Sequence, residues 1–182
     1  MSLFPKPYAD RVARWRVATG FVLVAAFAWF SQPDWNSLIW GLPVSALGLL
    51  LRAWATGHLE KNIRLAESGP YAYVRNPLYL GTALVAAGLV IASRRWLLAV
   101  LFAAIFLLIY LPVIELEEQH LRHLFPRFEA YAQRVPALWP TLHGAKFDNH
   151  FQWVLYVRNR EYQALLGWLA GVALLLAKVL VL

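Results

Sequence analysis

The sequence predicts an all-α integral membrane protein, a single membrane domain of 182 residues with about five transmembrane helices. Of its residues, 60% are hydrophobic and only 15% charged, whereas a soluble domain carries about a quarter charged residues. Too few polar groups remain to cover a surface in water. Five stretches, residues 17–33, 35–51, 76–93, 96–114 and 162–177, contain no Asp, Glu, Lys or Arg. A spanning helix needs about 20 mostly apolar residues, with roughly 17 to 25 tolerated. Nine Trp, eight Tyr and ten Phe suit aromatic belts at the lipid–water boundary. The absence of Cys excludes a disulfide framework, thiolate metal sites and a cysteine nucleophile.

The first apolar stretch follows Lys6, Arg11, Arg14 and Arg16 and contains Ala26-Phe27-Ala28, which mimics a signal-peptide cleavage site. Four further spans follow it, so it reads as an uncleaved helix. The second stretch carries Pro43, a kink candidate, and extends past Arg52 toward His58. The third opens on Asn76-Pro77, an N-cap candidate followed by proline at the first helical position. The fourth continues into an amphipathic helix, because Leu121, Leu124, Phe125, Phe128 and Tyr131 recur at spacings of three and four. The fifth runs past Lys178 to the end of the sequence. Each span must be helical, since backbone groups in lipid need partners within their own segment.

The basic residues sort to one side. Lys6, Arg11, Arg14 and Arg16 precede the first span, and Arg52, Lys61, Arg64 and Arg75 lie between the second and third. Arg122, Arg127, Arg134, Lys146, Arg158 and Arg160 lie between the fourth and fifth. These are fourteen of the seventeen Lys and Arg, the others being Arg94, Arg95 and Lys178. The positive-inside rule places the N-terminus and residues 52–75 and 115–161 in the cytoplasm. This placement accounts for most of the net charge of +7. No basic face interleaved with base-stacking aromatics is present, so nucleic acid is not a predicted partner.

Two hydrophilic motifs could carry chemistry. In the first, Gly69-Pro70 marks a turn, and Arg75 stands beside the helix start at Asn76-Pro77, where backbone N–H groups favour an anion. Tyr71, Tyr73 and Tyr79 crowd the same place, and an interfacial belt of tyrosines with a snorkelling arginine fits them equally. In the second, Glu115, Glu117 and Glu118 cluster at the end of a span, where carboxylates are expensive. A solvated helix with Glu118 and Arg122 as an i,i+4 pair is the alternative there. Glu117-x-x-His120 resembles half of a di-iron site and His120-x-x-His123 a metal pair. His58, His143 and His150 supply no second copy, so no metal is predicted. No dinucleotide fingerprint, nucleophile elbow, zincin or Walker motif occurs.

These two motifs, in this order, resemble the isoprenylcysteine carboxyl methyltransferase and phospholipid methyltransferase superfamily. Its pattern Gly-x-Tyr-x-x-x-Arg-His-Pro-x-Tyr-x-Gly is matched at Gly69, Tyr71, Arg75, Pro77, Tyr79 and Gly81. The following Glu-Glu-x-x-Leu-x-x-x-Phe-Gly, Tyr and Val-Pro pattern is matched at Glu117, Glu118, Leu121, Phe125, Tyr131, Val135, Pro136 and Pro140. Leu51-Arg52 corresponds to a Leu-Arg pair in the preceding helix. Asn76 replaces the usual His, losing any role that needs a charged or basic imidazole, and Pro126 replaces Gly. The match covers residues 45–140 as a methyltransferase-like core; residues 141–182 form a C-terminal extension with an extra transmembrane helix.

The resemblance implies S-adenosylmethionine bound in a cytoplasmic region at the helix ends. Arg75 and the helix start at Asn76-Pro77 suit its carboxylate, and Glu118 or Glu117 its ammonium. Tyr71, Tyr79 and Leu65 suit the remainder. Arg52 is assigned to orienting the acceptor, with a snorkelling arginine as the alternative. Glu117, or His120, is assigned as base for an amine acceptor. The implied acceptor is lipophilic or membrane-embedded and resembles a prenylcysteine carboxylate. A phospholipid or small amine is the alternative enzyme reading. A non-enzymatic membrane subunit and a redox or metal-dependent enzyme are the rival classes.

Overall fold

The computed structural model describes residues 4–141 and 151–181. His143, Lys146 and His150 lie outside the described residues. All five apolar stretches are helical: α1 (Lys6–Phe30), α2 (Trp35–Thr56), α3 (Pro77–Ser93), α4 (Trp96–Ile105) continued by α5 (Leu111–Leu124), and α8 (Tyr162–Val181). Two short helices, α6 (Phe128–Arg134) and α7 (Trp153–Arg158), lie between α5 and α8. Among the described residues three helices are long and apolar enough to cross a membrane: Trp35–Thr56, the continuous Trp96–Leu124 and Tyr162–Val181. The expected number was five. α3 has only 17 residues, and α1 bends by 51° between Lys6–Trp15 and Val17–Phe30.

The amphipathic helix expected to run from 115 past Tyr131 is broken. Pro126 disfavours helical geometry at the residue before it, and Phe125 is extended (φ −125°, ψ 107°). The chain restarts as α6, so Pro126 turns one helix into two and folds Phe128 and Tyr131 inward. With Val135 they form a buried cluster on which Leu65, Leu121 and Phe125 pack.

Helices α2 and α3 form the closest pair. Gly41 and Gly48 of α2 meet Gly88 and Gly81 of α3 so closely that a Cβ on any of them would fall within about 2.6 Å of a neighbouring atom. Small residues at such positions let helix backbones approach in a membrane. One end of this pair is fastened by a capping box, in which Asp34 accepts from the Ser37 N–H (2.7 Å) and Ser37 Oγ accepts from the Asp34 N–H (3.0 Å). The Ser37 hydroxyl also donates to the Ala92 carbonyl at 2.9 Å. Arg94, left-handed at φ 53°, pairs with Asp34 at 2.5 Å. Arg95 donates to the Phe30 carbonyl and Lys178 to the Ser31 carbonyl. The three cations that the sequence set apart from the other fourteen thus gather at one end of the bundle.

Inside the long α4–α5 span, Pro112 has no N–H to return to Leu108, four residues earlier. The helix widens there into a π-helical stretch, Phe106–Tyr110, and the Leu108 carbonyl instead accepts the Tyr8 hydroxyl of α1 at 2.7 Å. Tyr8→Phe removes this bond and is expected to lower stability by about 1 kcal/mol, read as a shifted unfolding midpoint in mixed micelles. An unchanged midpoint would mean that water serves this carbonyl equally well.

Candidate active site

At the Arg52 end of α2 the chain leaves the helix through Gly57 and crosses a loop to a 3-10 turn, Gly69–Ala72. Gly69 takes φ 58°, and a Cβ there would meet the ring of buried His58 at 2.8 Å, so this turn requires glycine. The turn and the start of α3 face α5 and α6 across a cavity of about 630 Å³. That volume is in the range typical of small-molecule sites. All nine site residues expected from the sequence line it: Arg52, Leu65, Tyr71, Arg75, Asn76, Pro77, Tyr79, Glu117 and Glu118.

Within the cavity wall the expected pairings change. Glu118 does not pair with Arg122, one turn along; Arg122 pairs with Glu129. Glu118 instead receives Arg75 in a two-pronged ion pair, Nε to Oε1 at 2.9 Å and Nη2 to Oε2 at 3.0 Å. The two side chains are only 13% and 14% exposed. Nη1 of Arg75 donates to the Ala132 and Val135 carbonyls at 2.8 and 2.7 Å. Asn76, where the family pattern has His, donates through Nδ2 to Glu118 (2.9 Å) and to the Ala137 carbonyl (3.2 Å). Its amide therefore takes a donor's part, for which no imidazole is needed.

The backbone repeats this connection. The Arg75 and Asn76 N–H groups donate to Pro136 and Ala137, and the Thr141 N–H donates to Tyr73. The Tyr131 hydroxyl donates to the Tyr71 carbonyl at 2.7 Å. Residues 135–141 are thereby laced to 71–76 as a strap, and the Val-Pro pattern marks its start. Burial pushes both phenols, Tyr71 and Tyr131, well above the usual tyrosine range.

Glu117 is exposed toward the cavity and accepts from the Tyr79 hydroxyl at 2.9 Å. Tyr79 also packs edge-on against Tyr110, which follows Phe106 in a stacked pair. The π-helical stretch thus adds an aromatic wall that sequence reasoning did not find.

Arg52 faces the cavity from α2. Its Nε and Nη2 donate to Glu161 at 2.6 and 3.0 Å, and its Nη1 donates to Thr82 Oγ1 (2.6 Å) and the Leu78 carbonyl (3.3 Å). A snorkelling arginine would reach for water; this one is held inside. Glu161 stands in the C-terminal extension, for which the sequence offered no function, and is 6% exposed. Asn159 from the same segment lines the cavity and donates to the Thr56 and Leu59 carbonyls at the end of α2. A signal existed. A lone carboxylate at the entrance of an apolar helix is costly unless paired.

Lys61 and Arg64 from the 57–68 loop also line the cavity, as does His120, whereas His123 does not. Among the described residues no three His, Asp or Glu side chains gather as a metal site would require. The group implied by the motifs, S-adenosylmethionine, needs an anion, a cation and an apolar slot. Glu117, the cations Lys61 and Arg64, and the walls of Leu65, Tyr71, Leu121 and Phe128 offer all three in one cavity. The donor set fits.

Comparison with known proteins identifies the family. The model of the phospholipid methyltransferase family matches residues 37–127, half of the chain, running from α2 to the break before α6. The cobalt-zinc-cadmium resistance protein CzcN of Cupriavidus metallidurans is 32% identical over 156 residues, covering 82% of this chain and 71% of that protein. The nickel-cobalt-cadmium resistance protein NccN of Alcaligenes xylosoxydans xylosoxydans is 35% identical over 140 residues, covering 72% of this chain and 65% of that protein. No solved structure matches. With its family model matching half of the chain, from α2 through α5, the chain belongs to the phospholipid methyltransferase family.

Proposed function

We propose that this protein is a multi-pass membrane methyltransferase that moves a methyl group from S-adenosylmethionine to a lipophilic or membrane-embedded acceptor. One observation carries this reading. Seven residues expected to bind that cofactor, and Arg52 and Glu117 expected to serve the acceptor, come from four separated stretches of chain and line one cavity. When bound, S-adenosylmethionine supplies an electrophilic methyl group, which the acceptor's lone pair takes while the C–S electrons stay on sulfur, leaving S-adenosylhomocysteine.

The chain's own residues then bind and orient. Glu117 is the carboxylate for the cofactor ammonium, since Glu118 is committed to Arg75 and Asn76. Arg75 keeps one N–H beyond its four bonds and, with Lys61 and Arg64, supplies positive charge for the cofactor carboxylate. Tyr71, Leu65 and Phe128 line the slot for the adenine ring. Arg52 faces the acceptor's reacting group. Holding both partners in one geometry supplies much of the rate in such a displacement. A carboxylate like that of a prenylcysteine, or a thiolate, reacts without a base. A protonated phospholipid or small amine first gives up its proton, for which His120 lines the same cavity. The positive-inside rule directs this end of the bundle to the cytoplasm, where the cofactor is made. The names of the two relatives speak of metal resistance and identify no acceptor.

Calorimetric titration with S-adenosylhomocysteine, which keeps the ammonium and carboxylate, tests the reading. Wild type is expected to bind, Glu117→Gln to bind about 2 kcal/mol more weakly, and Glu129→Gln to match wild type. A wild-type protein that gives no binding heat would return the site to a non-enzymatic membrane subunit.

A further inference from the structure

We propose that Glu161 is a specificity-determining positioning residue, which by pairing with Arg52 closes the acceptor end of the cavity to groups carrying negative charge. The proposal rests on the methyltransferase reading of the cavity. Its evidence lies in how the Arg52 donors are spent. A guanidinium has five N–H groups, and four are committed here, two to Glu161, one to Thr82 and one to the Leu78 carbonyl. The charge of Arg52 is therefore already neutralised by a carboxylate buried behind it.

An acceptor carboxylate that paired with Arg52 in a two-pronged fashion would have to displace Glu161, which already holds Nε and Nη2. That would strand a second carboxylate, 6% exposed, without a partner, and an uncompensated buried charge is strongly unfavourable. An amine makes no such demand, and the one remaining N–H can hold a neutral oxygen of its headgroup.

Glu161 is fixed in place. Its own N–H donates to the Tyr156 carbonyl, Asn159 clasps two carbonyls at the end of α2, and the Gln152 N–H donates to Gly57. Beyond it, the Trp168 indole donates to Ser45 Oγ and ties α8 to α2. This residue lies outside residues 37–127. The discriminating carboxylate is thus supplied by the part of the chain that the family model does not reach.

The experiment uses the full chain in nanodiscs, with radiolabelled octanoate and octylamine as probes of equal chain length and opposite charge, and the signal of empty nanodiscs subtracted. Wild type is expected to bind octanoate at least tenfold more weakly than octylamine. Glu161→Gln, which leaves Arg52 without its counter-charge, is expected to bind octanoate at least tenfold more tightly than wild type does. The double variant Arg52→Gln with Glu161→Gln should lose that gain. If Glu161→Gln folds only when octanoate is present, that rescue is the same result in another form. Equal octanoate affinity in wild type and Glu161→Gln overturns the proposal. So does a wild type that binds octanoate as well as octylamine, a comparison that needs no variant. Titrating the same wild-type sample with S-adenosylhomocysteine keeps the two ideas apart. Cofactor-analogue binding with no octanoate difference sinks only the role of Glu161, whereas loss of analogue binding sinks the methyltransferase reading itself.

Discussion

Glu118→Gln is expected to lower stability by about 3–5 kcal/mol, the cost of removing one partner from a buried ion pair. The substitution is isosteric, so the loss does not come from a cavity. It leaves Arg75, 13% exposed, with its bonds to the Ala132 and Val135 carbonyls but no counter-charge. The new amide can accept one bond from Arg75, and its NH2 then faces the donors of Arg75 or Asn76. Because Arg75 and Asn76 also hold the strap through backbone bonds to Pro136 and Ala137, the wall over the cavity loosens with the pair. Affinity for S-adenosylhomocysteine should fall together with the unfolding midpoint. Glu129→Gln is the control, since its partner Arg122 is 44% exposed and surface pairs are worth well under about 1 kcal/mol. Equal midpoints for the two variants would show that water reaches the Arg75 pair and that it braces nothing.

The legible part of this molecule was the part governed by local chemistry. Charge-free stretches gave the helices, and Asn76-Pro77 gave the start of α3 at Pro77. The nine site residues expected from the sequence share a cavity. What stayed hidden depends on contacts between distant segments. Glu118 has Arg122 one turn away in sequence and Arg75 43 positions away, and the structure chooses Arg75. Local spacing ranks the first pair higher, because nothing local shows that residues 135–141 cover residues 73–76. Pro126 was visible as a departure from the family pattern, but its effect on the backbone at Phe125 was the more informative consequence. Glu161 was the least legible site residue. Its partner Arg52 lies 109 positions earlier, and only the cost of a carboxylate beside an apolar helix hinted that it had one. The glycines of α2 and α3 fall between these cases. Gly41 and Gly48, like Gly81 and Gly88, are seven residues apart, two helical turns, which is a pattern a reader can find but cannot pair without the fold.

Those glycines support the second large effect. Gly88→Val is expected to cost about 3 kcal/mol or to prevent folding, the upper end for overpacking a tight interface. A Cβ at Gly88 would lie 2.3 Å from the Ser45 nitrogen, 2.5 Å from the Gly41 carbonyl oxygen and 2.7 Å from the Ser45 Cα. All three are backbone atoms, so no side-chain rotation relieves the clash and α2 must move away from α3. The displacement would reach the site, because Arg52 on α2 bonds to Thr82 and Leu78 on α3. Gly81→Ala probes the same interface closer to the cavity, where the added Cβ meets Arg52 Cγ at 2.5 Å and the Gly48 carbonyl oxygen at 2.8 Å. Part of that obstruction is a side chain that can shift, so a smaller loss of stability is expected, with a larger effect on whatever Arg52 holds. Gly167→Val on α8 is the comparison, since a Cβ there meets nothing within 4 Å. Unfolding midpoints in mixed micelles should therefore fall in the order Gly167→Val, Gly81→Ala, Gly88→Val, from mildest to most severe. A Gly88→Val protein as stable as Gly167→Val would mean that α2 and α3 do not pack at this distance, and the cavity built on their spacing would have to be redrawn.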